Sequence, residues 1–161
     1  VWDPNGEWAG SSGRDVPRTK RLVVRSFPVF LEAQRGRKTM LAPVVAFQLE
    51  LEDFDRWASW VLACGSLLAV VDEAQLVASP HNLPPSMSRL ATTCRHRSVD
   101  LLLCCQRPSS LHPTIRAQAD IVLAWKMTEP RDLAFMRESC GNTFGSSLPR
   151  LAPRKYSTWN A

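Results

Sequence analysis

The sequence predicts an α/β protein built on a mostly parallel sheet with helices on both faces. Three observations carry this expectation. Short aliphatic runs, such as 67–71 and 99–105, alternate with stretches of helical periodicity. Several of these runs are apolar on both faces, as parallel strands are when helices bury them from either side. The polar residues then fall where such strands end. Asp72 and Glu73 follow one run and Gln106 follows the next, and open α/β sheets bind ligands at those carboxyl ends.

The elements follow in order. Residues 3–15 form a turn-rich loop with three glycines. Residues 21–27 and 42–51 are β-branched strand candidates, and the basic stretch 32–40 between them reads as a turn or protruding loop. Phe54, Trp57, Ala58, Val61 and Leu62 recur at helical spacing, with acids before them and Gly65 after, so 52–65 is an amphipathic helix. Trp57 and Trp60 read as packing residues. The strand 67–71 leads through a loop at 79–85 to a second helix, 86–97, with Met87, Leu90, Ala91 and Cys94 on one face. Strand 99–105 precedes a turn and a short helix that can start at Pro113, and 120–125 is a further buried strand. A helix spans 128–141, opened by a Thr128 cap and an early proline and closed by Gly141. Residues 154–160 form the last strand.

The 161 residues fit one domain, 1–161, with one core. At 45% hydrophobic and 22% charged, the composition excludes a disordered chain. A net charge of +5 suits a polyanionic partner, or simply a basic domain. The five cysteines lack zinc spacing and point to a reducing compartment. No apolar run approaches the roughly 18 residues of a membrane span, and no signal peptide is visible, so a cytoplasmic protein is expected, associated with a virion or membrane only through partners. His81, His96 and His112 share no spacing with acids or cysteines and read as surface residues. Ser109 and Ser110 lack a nearby base, which points away from nucleophilic catalysis.

An apolar strand ending in two acids suits nucleotide hydrolysis. The first carboxylate, Asp72, would hold Mg²⁺ through a coordinated water. The second, Glu73, would orient or deprotonate the water that attacks the γ-phosphate of ATP. A solvated acidic turn is the plain alternative. Gln106, at the tip of the adjacent strand, can sense the γ-phosphate, or serve as a turn residue before Pro108. Arg95, Arg97 and Arg107 add fixed positive charge that could meet phosphate oxygens. Otherwise 95–97 is a solvated helix end.

The ordered run "LLAVVDEAQ", "CRHRSVDLLLCCQRP" and "IRAQADIVLAWKMTEPRDLAFMRESCG" resembles the FtsK/HerA-type P-loop ATPases. These include DNA translocases, conjugation motors, and the genome-packaging or zonula-occludens-toxin-like ATPases of phages. "VWDPNGEW" is similar to the strand and loop after their phosphate-loop helix, and "LPRLAPRKYSTWN" to their last strand. The resemblance thus spans nearly the whole chain and implies a RecA-like P-loop NTPase core. By position, Asp72 and Glu73 resemble the Walker B pair, Gln106 the sensor glutamine, and Arg95 the arginine finger acting on a neighbouring subunit. Arg97 and Arg107 are lesser candidates.

The resemblance further implies a hexameric ring that moves double-stranded DNA, independent of sequence, through a central pore. Arg35, Arg37 and Lys38 are candidates for a DNA-facing loop, or for a solvated turn. One departure is large: GxxxxGK[ST], whose amides and lysine cradle the phosphates, occurs nowhere. Either the chain is truncated at its N-terminus and the loop lies upstream of Val1, which is not an initiator, or the protein is a non-catalytic assembly subunit that keeps the fold. The retained catalytic-end residues favour truncation.

Overall fold

The computed structural model describes residues 1–5, 21–37, 40, 42 and 44–161. In chain order its elements are β1 (Arg21–Val24), α1 (Phe27–Gln34), β2 (Val44–Phe47), α2 (Phe54–Cys64), β3 (Leu67–Val71), α3 (Pro85–Thr93), β4 (Val99–Leu103), α4 (Pro113–Arg116), β5 (Ile121–Trp125), α5 (Pro130–Cys140), α6 (Asn142–Ser147) and β6 (Tyr156–Asn160). Short 3₁₀ turns sit at Ala74–Leu76, Cys94–Arg97 and Pro108–Ser110, among other places.

Parallel pairing joins β1 to β2 and β3 to β4. The first residues of the chain join the two pairs. Trp2 bridges Phe47 of β2 on one side and Val71 of β3 on the other, both in parallel sense. Its N–H donates to the Val70 carbonyl at 2.7 Å, and its carbonyl accepts from Asp72 N–H at 3.0 Å. Phe47 N–H donates to Val1 O at 2.8 Å, and Asp3 N–H to Phe47 O at 2.9 Å. A parallel ribbon therefore runs from β1 to β4 through residues 1–3. Strands β5 and β6 pair antiparallel and apart from it among the described residues.

The main core lies on one face of this ribbon. Trp2, Phe47, Ala69, Val71 and Val99 meet Phe54, Trp57, Val61 and Leu62 of α2 and Met87 and Leu90 of α3. Trp2 is fully enclosed, with its ring centroid 5.1 Å from Phe54 edge-on and 5.6 Å from Trp57. Phe27 and Phe30 of α1 extend the aromatic packing to Trp60. A second, smaller core holds Ala124 of β5 with Leu133 and Met136 of α5 and Phe144 of α6.

Four expectations need correcting. Burial on both faces does not hold along the strands: Leu68 of β3 is 60% exposed and Leu102 of β4 is 41% exposed. Strand β5 likewise turns Ile121, Leu123 and Trp125 outward. Helices α5 and α6 pack with β5 in a core of their own. The first three residues of the stretch read as a basic loop, 32–34, belong to α1, which has Pro28 in its first turn and buries Phe27 and Phe30 three residues apart. Helix α3 stops at Thr93, and Cys94–Arg97 tightens into a 3₁₀ turn ended by Ser98 at φ 53°. Helix α5 is capped by Glu129, whose carboxylate accepts from Asp132 N–H at 2.8 Å, and not by Thr128.

Candidate active site

Strand β3 delivers Asp72 and Glu73 at its carboxyl end. Pairing with the next strand continues beyond the regular ladder: Cys104 N–H donates to Val71 O at 2.9 Å, and Ala74 N–H to Cys104 O at 2.8 Å. These two bonds bring the segment after β4 beside the acids. Gln106 Nε2 donates to Glu73 Oε1 at 2.6 Å. The amide of Gln75 donates to the other oxygen, Oε2. Glu73 itself sits at φ 48°, ψ 48°, and its N–H bonds to Asp72 Oδ1 at 3.1 Å. A left-handed conformation at a non-glycine residue is uncommon, and Ser66, Ser98 and Arg154 share it.

Three of the predicted site residues are thus gathered: Asp72, Glu73 and Gln106. The neighbouring thiols feel their charge. Burial first, then the carboxylates of Asp72 and Glu73, raise the pKa of Cys104. Burial, helped by Cys104 and Asp132, pushes Cys105 up to about 11. Both thiols stay neutral at pH 7.

Among the described residues no group of three or more His, Cys, Asp or Glu could cage a metal. The two adjacent carboxylates instead fit Mg²⁺, which binds through one or two carboxylates and takes its other oxygens from water and phosphate.

The arginines divide differently. Arg107 follows Gln106 but is spent on α5: its Nε donates to Asp132 Oδ2 at 3.1 Å, and an Nη lies 2.9 Å from Glu129 Oε2. Asp132 is 2% exposed and also accepts from Ser109 N–H at 3.0 Å. Burial works to raise its pKa, but the bonds from Ser109 and Arg107 outweigh burial and hold its carboxyl below the usual range. Sequence reasoning did not single out Asp132. The available signal was "EPRD", an acid inside the first turn of α5.

Arg95 and Arg97 precede β4, whereas Gln106 follows it, and five residues of strand span about 16 Å. Arg95 Nη2 pairs with Asp120 at 2.9 Å and donates to Gln118 O at 3.4 Å. Arg97 Nε donates to Leu62 O at 2.8 Å, at the end of α2. Neither joins the Glu73 cluster within one chain. Arg35 pairs with Glu32 at 3.4 Å, and Arg37 donates to Ala33 O at 3.1 Å, at the end of α1. Lys38 lies outside the described residues. No described helix is long and apolar enough to cross a membrane.

No protein-family model and no curated protein sequence matches the chain. Solved structures do. The genome packaging NTPase B204 from Sulfolobus turreted icosahedral virus 2, in complex with AMPPCP, superposes with a TM-score of 0.77 at 16% identity, over 99% of this chain and 74% of that one. The same protein with ATP-gammaS gives 0.72 at 16% identity, over 86% and 68%. B204, the DNA-packaging ATPase from Sulfolobus Turreted Icosahedral Virus, gives 0.67 at 16% identity, over 88% and 77%. The acid pair at the end of one parallel strand and the glutamine at the end of the next stand on that shared frame: the chain has the fold of the viral genome-packaging NTPases.

Proposed function

We propose that this chain is the ATP-hydrolysing part of a motor that moves DNA, of the FtsK/HerA and genome-packaging type. The observation that carries the reading is the Glu73 carboxylate, set at a parallel strand end and held on both oxygens by the amides of Gln106 and Gln75. A carboxylate fixed in this way can orient a water molecule and take its proton as the water attacks the γ-phosphate. Gln106 touches the base directly, so a shift of Gln106 towards a bound nucleotide would release or re-aim Glu73. Asp72, with Glu73 beside it, would hold Mg²⁺, which neutralises charge on the phosphate oxygens. Arg95 pairs with Asp120 and makes no bond to its own chain's cluster, which suits an arginine offered to the site of a neighbouring subunit in a hexameric ring.

The same reading takes 1–161 as a single RecA-like domain of a cytoplasmic protein and double-stranded DNA as its cargo, met in part by Arg35, Arg37 and Lys38. The 161 residues contain no GxxxxGK[ST], so they supply the hydrolytic half of the site and not the half that grips the phosphates.

The test is ATP turnover of the full-length protein with and without DNA. Glu73→Gln should lower kcat by about 10²–10⁴, as expected for loss of a general base, while Mg²⁺-dependent ATP binding persists. Unchanged turnover in Glu73→Gln would overturn the assignment. Absence of ATP binding in the unmodified protein would favour an assembly subunit that keeps the fold without catalysis.

A further inference from the structure

A cavity of about 390 Å³, lined by polar and apolar groups alike, borders the turn that follows Gln106. His81 reaches it from the loop after β3, Ser109 from the turn after β4, and Arg116 from α4. Arg131, Phe135 and Glu138 come from α5, where their spacing sets them on one face of the helix.

The guanidinium of Arg116 stands over the Phe135 ring, 4.0 Å from its centroid. The ring fixes a cation against the cavity wall. One Nη of Arg116 donates to Pro108 O at 3.3 Å, but its Nε is buried with no acceptor among the described residues. Buried donors are nearly always satisfied. Partial burial also lowers the pKa of this guanidinium, and one of its donors is left unfilled. Arg131 supplies a second, exposed cation, and it makes no ion pair among the described residues. Glu138 attracts Arg116 from a distance but makes no ion pair with it.

We propose that this cavity holds a phosphate group of a DNA backbone, gripped by Arg116 and Arg131. The assignment rests on the reading of the chain as a DNA motor. A phosphodiester only accepts hydrogen bonds, and a planar guanidinium fork matches its oxygens. Contacts to phosphate alone carry no sequence information, as a motor on any sequence requires. Arg131 and His81 are exposed, so a phosphate can enter while still part of a polymer. The site also touches the hydrolytic cluster. Arg116 holds Pro108, and Asp132 holds Arg107 and Ser109, all within two or three residues of Gln106. A phosphate on Arg116 therefore bears on the segment that positions Glu73, which gives DNA a route to stimulate turnover.

The experiment measures duplex binding by the full-length protein over 50 to 200 mM salt, with ATP turnover and thermal unfolding recorded in parallel. Arg131→Ala should bind duplex about tenfold more weakly, the loss of one charge-assisted hydrogen bond. Its log-log salt slope should fall by about 0.9, with the melting temperature unchanged. Glu138→Gln should act in the opposite direction and tighten binding, which a merely structural role would not produce. Arg150→Ala, an exposed arginine elsewhere, should leave binding unaltered. Wild-type affinity and slope in Arg131→Ala, or an equal loss in Arg150→Ala, would overturn the site while leaving the motor reading intact. If inorganic phosphate raises the melting temperature of the unmodified protein but not of Arg131→Ala, and duplex binding is the same in both, the cavity is a small-anion site and the DNA assignment fails. An unmodified protein that binds no duplex at 50 mM salt overturns both.

Discussion

A carboxylate as enclosed as that of Asp132 is stable only when its oxygens are filled. Ser109 N–H and the Arg107 guanidinium fill them, and the cluster staples the turn after Gln106 to α5. Replacing Asp132 with Asn should cost about 1–3 kcal/mol by leaving donors without their charged partner, read from the urea midpoint at pH 7. The sign with pH follows from the depressed carboxyl. A group whose pKa is lower in the folded chain stabilises above its unfolded value of about 3.9 and loses that contribution as pH falls towards the folded value. The gap between Asp132→Asn and the unmodified protein should therefore narrow on going from pH 7 to pH 3. At this scale the proximity of the acid pair and Gln106 was legible because each lies within three residues of the end of an aliphatic strand. Asp132 was not, since its meaning depends on an arginine 25 residues away. For the same reason Arg107 was read as a phosphate contact when its fork is committed to carboxylates of α5.

Between elements, the junction of α2 and β3 shows how closely the segments must approach. Gly65 ends α2 at φ 62°, and a Cβ there would lie 2.8 Å from the carbonyl oxygen of Arg97. That carbonyl accepts from Ser66 N–H at 3.0 Å, while the Arg97 side chain donates to Leu62 O and Ala63 O. One arginine thus closes the end of α2 and pins the entry to β3. Gly65→Ala should destabilise the protein by at least about 1–2 kcal/mol from the left-handed backbone alone. The clash adds to this, and a lowered thermal midpoint would report it. Helix α2 and strand β3 were legible to within two residues, because their periodicities are long and clean. Helix α1 was missed because its eight residues carry a proline in the first turn and run into a basic stretch. Composition there suggests a loop, and only the aromatic core explains the helix.

Across the whole molecule, the joint between the two parallel pairs is a segment of three residues. Trp2 fills the centre of the main core while its backbone bonds to β3 and its neighbours bond to β2. Trp2→Ala should cost about 3–5 kcal/mol, as large aromatic truncations in cores do. Amide exchange should rise at Phe47 and Asp72, which donate to residues 1 and 2, more than within β5 and β6. The alternation of strands and helices was readable from composition. The sharing of helices between two cores was not, because an apolar strand looks the same whether a helix covers one face or both. The inserted segment also constrains how the chain assembles. Residues 1–3 come first in sequence, yet both strands that flank them come later, β3 well after β2. The centre of the ribbon can close only after long loops have been drawn shut, and loop closure of that kind slows folding more than it weakens the finished structure. During synthesis, therefore, residues 1–3 can pair with β2 first, but the indole that anchors the core is not enclosed until β3 and α2 have emerged.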